Sequence, residues 1–570
     1  MEPITVFVKH QGKKYTVEVD PESTGEVFKF QLYSLTGVEP ERQKILLRGG
    51  IKDDTPMSSL GLKPNQNILM LGTPAGEGKD LKRPAEPVKF VEDMTEAEAA
   101  RQEGAIPAGL TNLGNTCYLN ATLQTLRAIP ELQDALVKYE PSSASATGTL
   151  PQLDLTRQLR DTYKYMSETQ EAYVPHTFLA ALRDLYPQFA ERSRTGAGYA
   201  QQDAEEAWSQ ILSQVRQKLR FKDSSDATSD PSFIEKYMAG EFTSELECDE
   251  PAAKEGGEQP VASRDAFLKL NCHIDSTTNH LRDGIVNGLK EQLEKRSEVL
   301  GRDATYTKTS KISRLPKYLT VHFVRFFWKR DTQKKAKIMR KVTFPLELDV
   351  VEFCDDNLKK LLVPVRDKVR EVRKEEEDVE RARKRRKRNG NDGDDVPEVT
   401  NPKKKDEKKD EKKDEKKGER KGEKKEAGAS ADGDVEMTET YKTDAEIDAE
   451  RAAQLLSMKK ELNALIDPAL AKDDGANQSG LYELRGVVTH QGASADSGHY
   501  TAYVKKTASV DPKTGKRKEE DGKWWWFNDD KVSEVTSDKI EALAGGGESH
   551  SALILLYKAI PLPTAEGTTE

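Results

Sequence analysis

A charge-dense tract between Arg366 and Asp434 limits how the whole chain can fold. About two-thirds of its residues are charged, with about 25 basic and about 22 acidic side chains. It has so few apolar residues that burial cannot offset the entropy lost on folding. We therefore predict a mostly disordered insert at about 366–440, with at most transient helix. Without this tract the charged fraction falls to about 28%, close to that of ordinary globular proteins.

The remaining composition disfavours membrane, secreted and metal-binding classes. No apolar run approaches the roughly 18–20 residues that span a bilayer, and the first residues lack the features of a signal peptide. The cysteines are far apart and form no CxxC pair, which argues against a disulfide scaffold or a zinc site. We expect a protein of a reducing compartment, with no cofactor, no metal and no membrane partner. The four cysteines are Cys117, Cys248, Cys272 and Cys354.

Residues 1–75 predict a small mixed domain. Its elements are two strands, a helix and two more strands, over Ile4–Lys9, Lys14–Val19, Gly25–Leu35, Gln43–Arg48 and Asn67–Leu71. The last two strands are apolar at successive positions, although successive side chains point to opposite faces. Because one helix covers only one face, we infer an exposed apolar patch that contains Leu46 and Leu71. The alternative is that this patch packs on the rest of the chain.

Residues 76–104 predict a flexible linker that ends in a short helix at Thr95–Gln102. The long domain 105–558 follows, helical in its first half and strand-rich in its second, and residues 559–570 predict a disordered tail. The basic octet Arg381–Arg388 fits a nuclear localisation signal or a nucleic-acid contact. Because the tract around it is nearly neutral, a solvated loop without nucleic acid is the better interpretation.

Cys117 lies where a glycine-punctuated loop, beginning at Gly109, runs into an amphipathic helix. The N-terminus of a helix offers unpaired N–H groups and the positive end of its dipole, and both favour a thiolate. The same N–H groups can stabilise an oxyanion. Cys117 is therefore a candidate nucleophile, and the alternative is a buried cysteine that only fills space.

A histidine and an amide later in the chain complete a possible catalytic set. His499 opens a strand after a loop of small residues, and Asn528 and Asp529 follow about thirty residues later. A cysteine, a histidine and an amide or carboxylate are the components of a cysteine-protease triad. His490 is a competing candidate for the base, and His499 in a purely structural role is the alternative.

Three segments together resemble the ubiquitin-specific protease family. They are the Cys, Gln-Gln-Asp and His motifs at Asn112–Asn120, Gln201–Glu206 and Ser497–Tyr500. The N-terminal order of elements resembles a ubiquitin-like domain. The resemblance implies an α+β chain: a β-grasp ubiquitin-like domain, then a papain-like cysteine protease domain with thumb, palm and β-fingers. Some members bind zinc in the fingers, but Cys248 and Cys272 are isolated, so no finger zinc is expected here.

The resemblance also implies catalytic roles. Cys117 would be the nucleophile and His499 the base. The amide of Asn112 and the N–H of Cys117 would form the oxyanion hole. Asn528 would orient the histidine where many relatives have aspartate, with Asp529 auxiliary.

Substrate binding is implied in the same way. The basic tail of ubiquitin, which ends in two glycines, would lie against Gln202, Asp203, Glu205 and Tyr500, whereas Glu206 is assigned only a solubility role. Two loops, Phe326–Val342 and Gln491–Ser497, would block the tail channel in the free enzyme through Phe327, Trp328, Ser494 and Ser497.

The resulting expectation is a deubiquitinase bound to the 26S proteasome regulatory particle in cytoplasm and nucleus. It would act on polyubiquitinated proteins, with low activity when free and higher activity when docked. The ubiquitin-like domain would bind a scaffold subunit of the base, and the catalytic domain the ATPase ring. The alternatives are a non-catalytic ubiquitin adaptor that delays degradation and, less favoured, a transglutaminase-like enzyme.

Overall fold

The computed structural model describes residues 3–47, 51–72, 95–97, 105–140, 154–193, 198–221, 230–331, 334–389, 444–495, 497–508, 520–547 and 549–563. The chain divides into two compact units, Met1–Met94 and Thr95–Glu570. Most of the predicted linker and most of its predicted helix lie outside the described residues. None of the described helices is long and apolar enough to span a bilayer.

The N-terminal unit is a four-stranded sheet with one helix, as predicted. Its elements are β1 (Ile4–His10), β2 (Lys13–Val19), α1 (Gly25–Thr36), β3 (Lys44–Leu46) and β4 (Asn67–Leu71). The strand order is β2-β1-β4-β3, with β1 and β4 parallel. Alternate residues such as Val6 and Ile68 are buried against Phe28 and Leu32 of α1. This arrangement is the predicted β-grasp.

The opposite face of this sheet carries exposed leucines. Leu46, Leu69 and Leu71 are 48%, 45% and 48% exposed, while their neighbours Ile45, Ile68 and Met70 are buried. Strand alternation therefore places one apolar set in the core and leaves the other outside. Leu69 enlarges the predicted patch, and we call these three residues the leucine patch.

The first half of the second unit is helical. The helices are α2 (Cys117–Arg127), α3 (Pro130–Val137), α4 (Leu155–Met166), α5 (His176–Leu185), α6 (Ala204–Lys218) and α7 (Phe233–Tyr237). Helix α2 is buried from Cys117 to Leu126. It packs into one core with α6 and with strand residues such as Tyr500 and Phe527. A helix enclosed on all sides holds its first residue in a fixed position.

The second half is dominated by strands. They are β5 (Gly240–Cys248), β6 (Val261–Phe267), β7 (Leu270–His273), β8 (Lys290–Arg296), β9 (Asp303–Arg314), β10 (Tyr318–Val324), β11 (Phe326–Lys329), β12 (Lys334–Lys337), β13 (Glu347–Asp349), β14 (Leu481–Ser494), β15 (Ser497–Lys505), β16 (Trp524–Asn528), β17 (Lys531–Val535) and β18 (Ser551–Ala559). The remaining helices are α8 (Pro251–Glu255), α9 (Leu281–Gly288), α10 (Asp356–Asn389), α11 (Asp444–Leu465), α12 (Pro468–Lys472) and α13 (Ser537–Glu541).

Two sheets organise these strands. The larger sheet runs β17-β16-β15-β14-β18-β10-β7, with β11 to β13 joined at its side. The smaller runs β6-β5-β9-β8 and corresponds to the predicted fingers. At one end of the fingers Cys248, Ala253 and Tyr306 form a small apolar core. Among the described residues no group of three or more histidines, cysteines or carboxylates could hold a metal.

The charged insert is more ordered than the sequence predicts. Helix α10 continues to Asn389, and α11 begins at Asp444; residues 390–443 lie outside the described residues. The two helices pair through the Lys368–Glu461 and Lys459–Glu376 ion pairs, both at 2.8 Å. Acidic residues also precede basic ones by four positions, as in Glu377 and Arg381 (3.1 Å), and this spacing stabilises a helix. The prediction of disorder from 366 counted charges and ignored their spacing.

The C-terminal tail also begins later than predicted. Strand β18 reaches Ala559, and the Ile560 N–H donates to the Leu481 carbonyl at 3.1 Å. Ile560 and Leu562 pack on buried Val365, Val369 and Leu462. Residues 560–562 therefore belong to the base of the arm formed by α10 and α11, and residues 564–570 lie outside the described residues.

The apolar base of this arm gives a stability prediction. Leu462 is fully buried, so Leu462→Ala should reduce the free energy of unfolding of the arm by about 2–4 kcal/mol. The exposed Leu456 on the same helix is a matched control. Leu456→Ala should change the free energy of unfolding of the arm by less than about 0.5 kcal/mol. Hydrogen exchange of α11 peptides measures both effects. Equal protection in the two variants would contradict this account of the arm.

Candidate active site

The loop before Cys117 is held in shape by Asn112. The Asn112 Oδ1 accepts hydrogen bonds from the N–H groups of Gly114 (2.9 Å) and Thr116 (3.2 Å). Gly114 and Asn115 both have positive φ, at +93° and +54°. Glycine and asparagine are the residues that adopt this conformation at low cost. The loop is therefore set before a substrate arrives, and Cys117 is the first residue of α2.

Asp529 connects this loop to the far end of the chain. Its carboxylate accepts hydrogen bonds from Asn112 Nδ2 at 2.9 Å and from Asn120 Nδ2 at 2.8 Å. Its own carbonyl accepts from the Leu110 N–H at 2.9 Å. A Cβ at Gly109 would lie 2.6 Å from the Asp530 carbonyl oxygen, so the close approach requires glycine. Asp529 thus acts on the loop before the cysteine, and the described residues show no bond from it to His499.

The Asn112 side chain keeps donor capacity for an oxyanion. One of its two Nδ2 hydrogens is used by Asp529, and the second remains. The predicted oxyanion role of Asn112 therefore fits the geometry and stays a prediction. Asn120 is the residue that sequence reasoning missed, although it lies within the Cys motif and one helical turn after Cys117. Its place inside the Cys motif was the available signal.

The histidine and asparagine pair is formed. His499 Nε2 lies 2.6 Å from Asn528 Oδ1. Because an amide oxygen only accepts, Nε2 carries the hydrogen and Nδ1 is the basic nitrogen. The next residue, Tyr500, donates its N–H to the Cys117 sulfur at 3.5 Å. The strand with the histidine and the helix with the cysteine therefore meet at one place.

Burial of Cys117 opposes the thiolate that the N-terminus of the helix was expected to favour. Burial raises the pKa of Cys117 to about 11, opposed by the Tyr500 N–H and assisted by the negative charge of Asp529. The N-terminus of the helix favours the thiolate, but burial has the larger effect on the pKa of Cys117.

His490 occupies a structural position. It is fully buried between Phe326 and Tyr500, with ring centroids 5.2 and 4.6 Å away. Its Nε2 lies 3.2 Å from the Ser497 carbonyl oxygen. Burial, with the nearby Lys337 ammonium, lowers the pKa of His490 to about 3, so the ring is neutral. It supports the loop before His499 and makes a poor proton acceptor.

The predicted tail-binding residues divide into two groups. Gln202, like its neighbour Gln201, which was not among the predicted residues, buries an Nε2 group that has no acceptor within the described ranges, and Tyr500 is buried against His490. The acids are already engaged. Asp203 caps α6 by accepting from the Glu205 N–H at 2.9 Å, and Glu205 pairs with Lys269.

The two predicted blocking loops are joined to each other. The first is a hairpin of β11 and β12 on which Phe327 and Trp328 are exposed. The second is the turn between β14 and β15, where Ser494 pairs with Ser497. The Ser494 hydroxyl donates to the Lys335 carbonyl at 2.9 Å, and the Ala495 N–H donates to the same oxygen at 3.3 Å.

Two buried cations fix the base of this hairpin. The Arg325 guanidinium donates to the carbonyls of Ala552 and Arg340, both at 2.9 Å. The Lys337 ammonium donates to the His490 carbonyl at 2.6 Å. Burial lowers the pKa of Arg325 to about 10 and that of Lys337 to about 8. Neither residue was predicted to matter, because a cation bonded to carbonyls leaves no signal in the sequence.

These elements define a cysteine hydrolase: a cysteine at the start of a buried helix, an adjacent histidine–asparagine pair, and a preformed donor loop. Residues 108–557 match the family model described as ubiquitin carboxyl-terminal hydrolase, and residues 6–74 match the ubiquitin family.

Similar proteins cover nearly the whole chain. Ubiquitin carboxyl-terminal hydrolase 6 of Schizosaccharomyces pombe is 43% identical, with 98% of this chain and 99% of that protein covered. Hydrolase 6 of Arabidopsis thaliana is 36% identical, with coverage of 97% and 98%. Hydrolase 14 of Caenorhabditis elegans is 30% identical, with coverage of 97% and 93%. The chain therefore belongs to the ubiquitin carboxyl-terminal hydrolase family, as a cysteine deubiquitinase with an N-terminal ubiquitin-like domain.

The raised pKa of Cys117 predicts how the thiol reacts with a small alkylating agent. Because only the thiolate reacts, alkylation of the free enzyme should rise steadily from pH 7 to pH 10 rather than level off near neutrality. Asp529→Asn removes a negative charge that raises the pKa, so the same profile should shift to lower pH. Site-resolved mass spectrometry measures both.

Cys354 provides the internal control, since burial raises its pKa to about 12. It should stay unmodified while Cys117 reacts. A Cys117 profile that is already flat above pH 7 would contradict the assigned resting state.

Proposed function

We propose that this deubiquitinase hydrolyses isopeptide bonds at the C-terminal glycine of ubiquitin with Cys117 as nucleophile and His499 as base. We propose further that it acts on polyubiquitinated proteins at the 26S proteasome regulatory particle, in cytoplasm and nucleus, and that it is held inactive when free. The convergence of Cys117, Tyr500 and the His499–Asn528 pair is the observation that carries the catalytic part.

Each proton in the proposed reaction has an assigned carrier. His499 Nδ1 takes the Cys117 proton as sulfur attacks the carbonyl carbon of the terminal glycine. The tetrahedral oxyanion accepts hydrogen bonds from the Cys117 N–H and the remaining Asn112 hydrogen. The C–N bond then breaks, and His499 returns the proton to the leaving lysine amine. Water, deprotonated by His499, then attacks the thioester carbonyl carbon. The C–S bond breaks, His499 returns that proton to the Cys117 sulfur, and the new ubiquitin carboxyl group loses its remaining proton to solvent.

The neutral Asn528 is sufficient for this cycle. Its amide oxygen orients the imidazole, as in other Cys-His-Asn proteases. It stabilises the imidazolium less than a carboxylate would, because it carries no full charge. Proton transfer from a thiol with a raised pKa is then unfavourable until substrate supplies the oxyanion. The site is therefore suited to activation by substrate binding.

The joined loops support low activity of the free enzyme. Ser494, Ala495 and Lys337 connect the β11–β12 hairpin to the strands that carry His490 and His499. Lys335, on this hairpin, lies close enough to Asp203 to oppose the rise in its pKa that burial causes. A hairpin tied down beside both the catalytic strand and the predicted tail-binding acid is well placed to obstruct the tail channel.

The leucine patch supports a docking role of the ubiquitin-like domain. Three half-exposed leucines on one sheet face form an apolar surface of the kind that partners bind. We propose that this surface binds the scaffold subunit of the proteasome base and that the catalytic domain contacts the ATPase ring. Docking of the catalytic domain would then release the hairpin.

A ubiquitin probe with an electrophilic C-terminus tests the catalytic and the regulatory proposals together. We expect the probe to label Cys117 slowly in free enzyme and at least about tenfold faster with proteasome, since two or three loop hydrogen bonds of about 0.5–1.5 kcal/mol each must break. Ser494→Ala should speed labelling of the free enzyme about two- to tenfold and leave the docked rate unchanged. Ser457→Ala, on the arm, is the matched serine control.

Three further variants separate the assignments. Cys117→Ala and His499→Ala should abolish labelling and turnover, whereas His490→Ala should retain much of the activity. Equal rates in free and docked states would reject the autoinhibition proposal, and loss of activity only in His490→Ala would reassign the base. A probe that labels nothing even with proteasome present would favour the non-catalytic adaptor.

The docking proposal has its own prediction. Leu46→Glu and Leu71→Glu should each weaken proteasome binding about tenfold or more, because a charge would enter an apolar contact. Since both side chains are exposed, the melting temperature of the enzyme should not change. Glu22→Lys, which changes an exposed residue away from these strands, is the control. Undiminished co-purification of the two leucine variants with proteasome would reject the leucine patch.

A further inference from the structure

Glu205, a predicted acid for the ubiquitin tail, is already bound to a lysine of the enzyme. Its carboxylate forms an ion pair with Lys269 and accepts a hydrogen bond from the Ser209 hydroxyl at 2.7 Å. The side chains of Glu205 and Lys269 are 20% and 31% exposed, so the pair is partly accessible to solvent. Burial alone would raise the pKa of Glu205, but His322 and Lys269 hold it below its ordinary value. The carboxylate is therefore charged and paired.

This ion pair can be reached from outside. Lys269 and Ser209 line an open cavity of about 350 Å³ whose other walls are largely apolar. Those walls are formed by Trp208, Leu212, Phe242, Phe267, Leu268 and Asn271. An incoming side chain can therefore approach Lys269 without unfolding any part of the domain.

The neighbouring acids show how selective this pairing is. Asp203 uses one carboxylate oxygen as a helix cap and has Lys335 nearby. The Glu206 carboxylate forms no ion pair or hydrogen bond with the side chain of any other described residue. Gln201, two positions before Asp203, is buried with an Nε2 group that lacks an acceptor in the described part of the chain. The start of α6 thus has an unused amide donor, which suits a peptide carbonyl. Its three acids differ in how far their carboxylates are already bound within the enzyme.

We propose that Lys269 determines specificity for the ubiquitin tail by occupying, in the free enzyme, the position at Glu205 that a basic residue of the tail takes on binding. This inference rests on the proposed function, in which the start of α6 borders the tail channel. Exchange of one cation for another keeps Glu205 paired throughout. It favours arginine, whose planar guanidinium binds a carboxylate through two hydrogen bonds, over lysine or an uncharged residue.

Fluorogenic ubiquitin substrates with altered tails test the exchange. One substrate carries the native tail, and the others have each tail arginine replaced by alanine in turn. With full-length, proteasome-docked enzyme, Lys269→Met should lower KM for the native substrate about three- to fivefold, the factor expected for a partly exposed ion pair, and leave kcat unchanged. The alanine substrate that lacks the arginine paired with Glu205 should show no such decrease in KM.

Three variants complete the design. Lys459→Met, which removes a lysine from the ion pair with Glu376 on the arm, should leave every rate unchanged. Glu205→Gln should reduce the preference for arginine and abolish the gain from Lys269→Met in the double variant. Glu206→Gln should leave that gain intact, because Glu206 is not the residue that Lys269 covers.

The outcomes separate this inference from the proposed function. If Lys269→Met changes all substrates equally, Lys269 has only a structural role and the inference is wrong. If Glu205→Gln leaves the arginine preference intact while the probe still labels Cys117, the inference fails and the proposed function stands. If folded enzyme with proteasome fails to be labelled at Cys117, the proposed function itself fails.

Discussion

The active site depends on one carboxylate that joins two distant parts of the chain. Asp529 follows β16, yet its two oxygens bind the amides of Asn112 and Asn120 on either side of Cys117. The same turn positions Asn528, which orients His499. One turn therefore fixes both the loop before Cys117 and the orientation of His499. Its central residue, Asp529, has a positive φ of 54°. This connection adds to the Tyr500–Cys117 contact and the shared core, which also join the helix to the sheet.

Burial controls the resting state around this turn. Cys117 and His490 both have pKa values shifted toward the neutral form, and burial is the larger cause in each. A neutral thiol reacts slowly with oxidants and electrophiles, since the thiolate is the reactive species. Desolvation therefore lowers the reactivity of the Cys117 thiol, whereas the role proposed for the loops is to limit access to it. These are independent means of restraint, and they involve different residues.

The sequence predicted much of the fold and named residues that the structure brings together at the candidate site, for identifiable reasons. Strand alternation gave the leucine patch, and helical periodicity gave α5 with its observed limits, His176–Leu185. The helices of the arm were not predicted, because the density of charges was considered and the four-residue spacing between acidic and basic residues was not. Lys269 and Lys337 were missed because their roles depend on a partner far away in the sequence, Glu205 for one and the His490 carbonyl for the other. Long-range pairing of this kind has no local pattern.

The positions of Asn528 and Asp529 have a consequence for the direction of proton transfer. A carboxylate on the imidazole would stabilise the imidazolium and favour an ion pair with the thiolate before substrate arrives. Here the neutral amide faces the imidazole, and the negative charge lies on the side of the donor loop, where it raises the pKa of Cys117. Both arrangements favour the neutral pair. In the proposed mechanism a developing oxyanion reverses that preference. Asn112, one of its two proposed donors, is held by Asp529, so the residue that raises the pKa of the thiol at rest would also preorganise the site for the transition state.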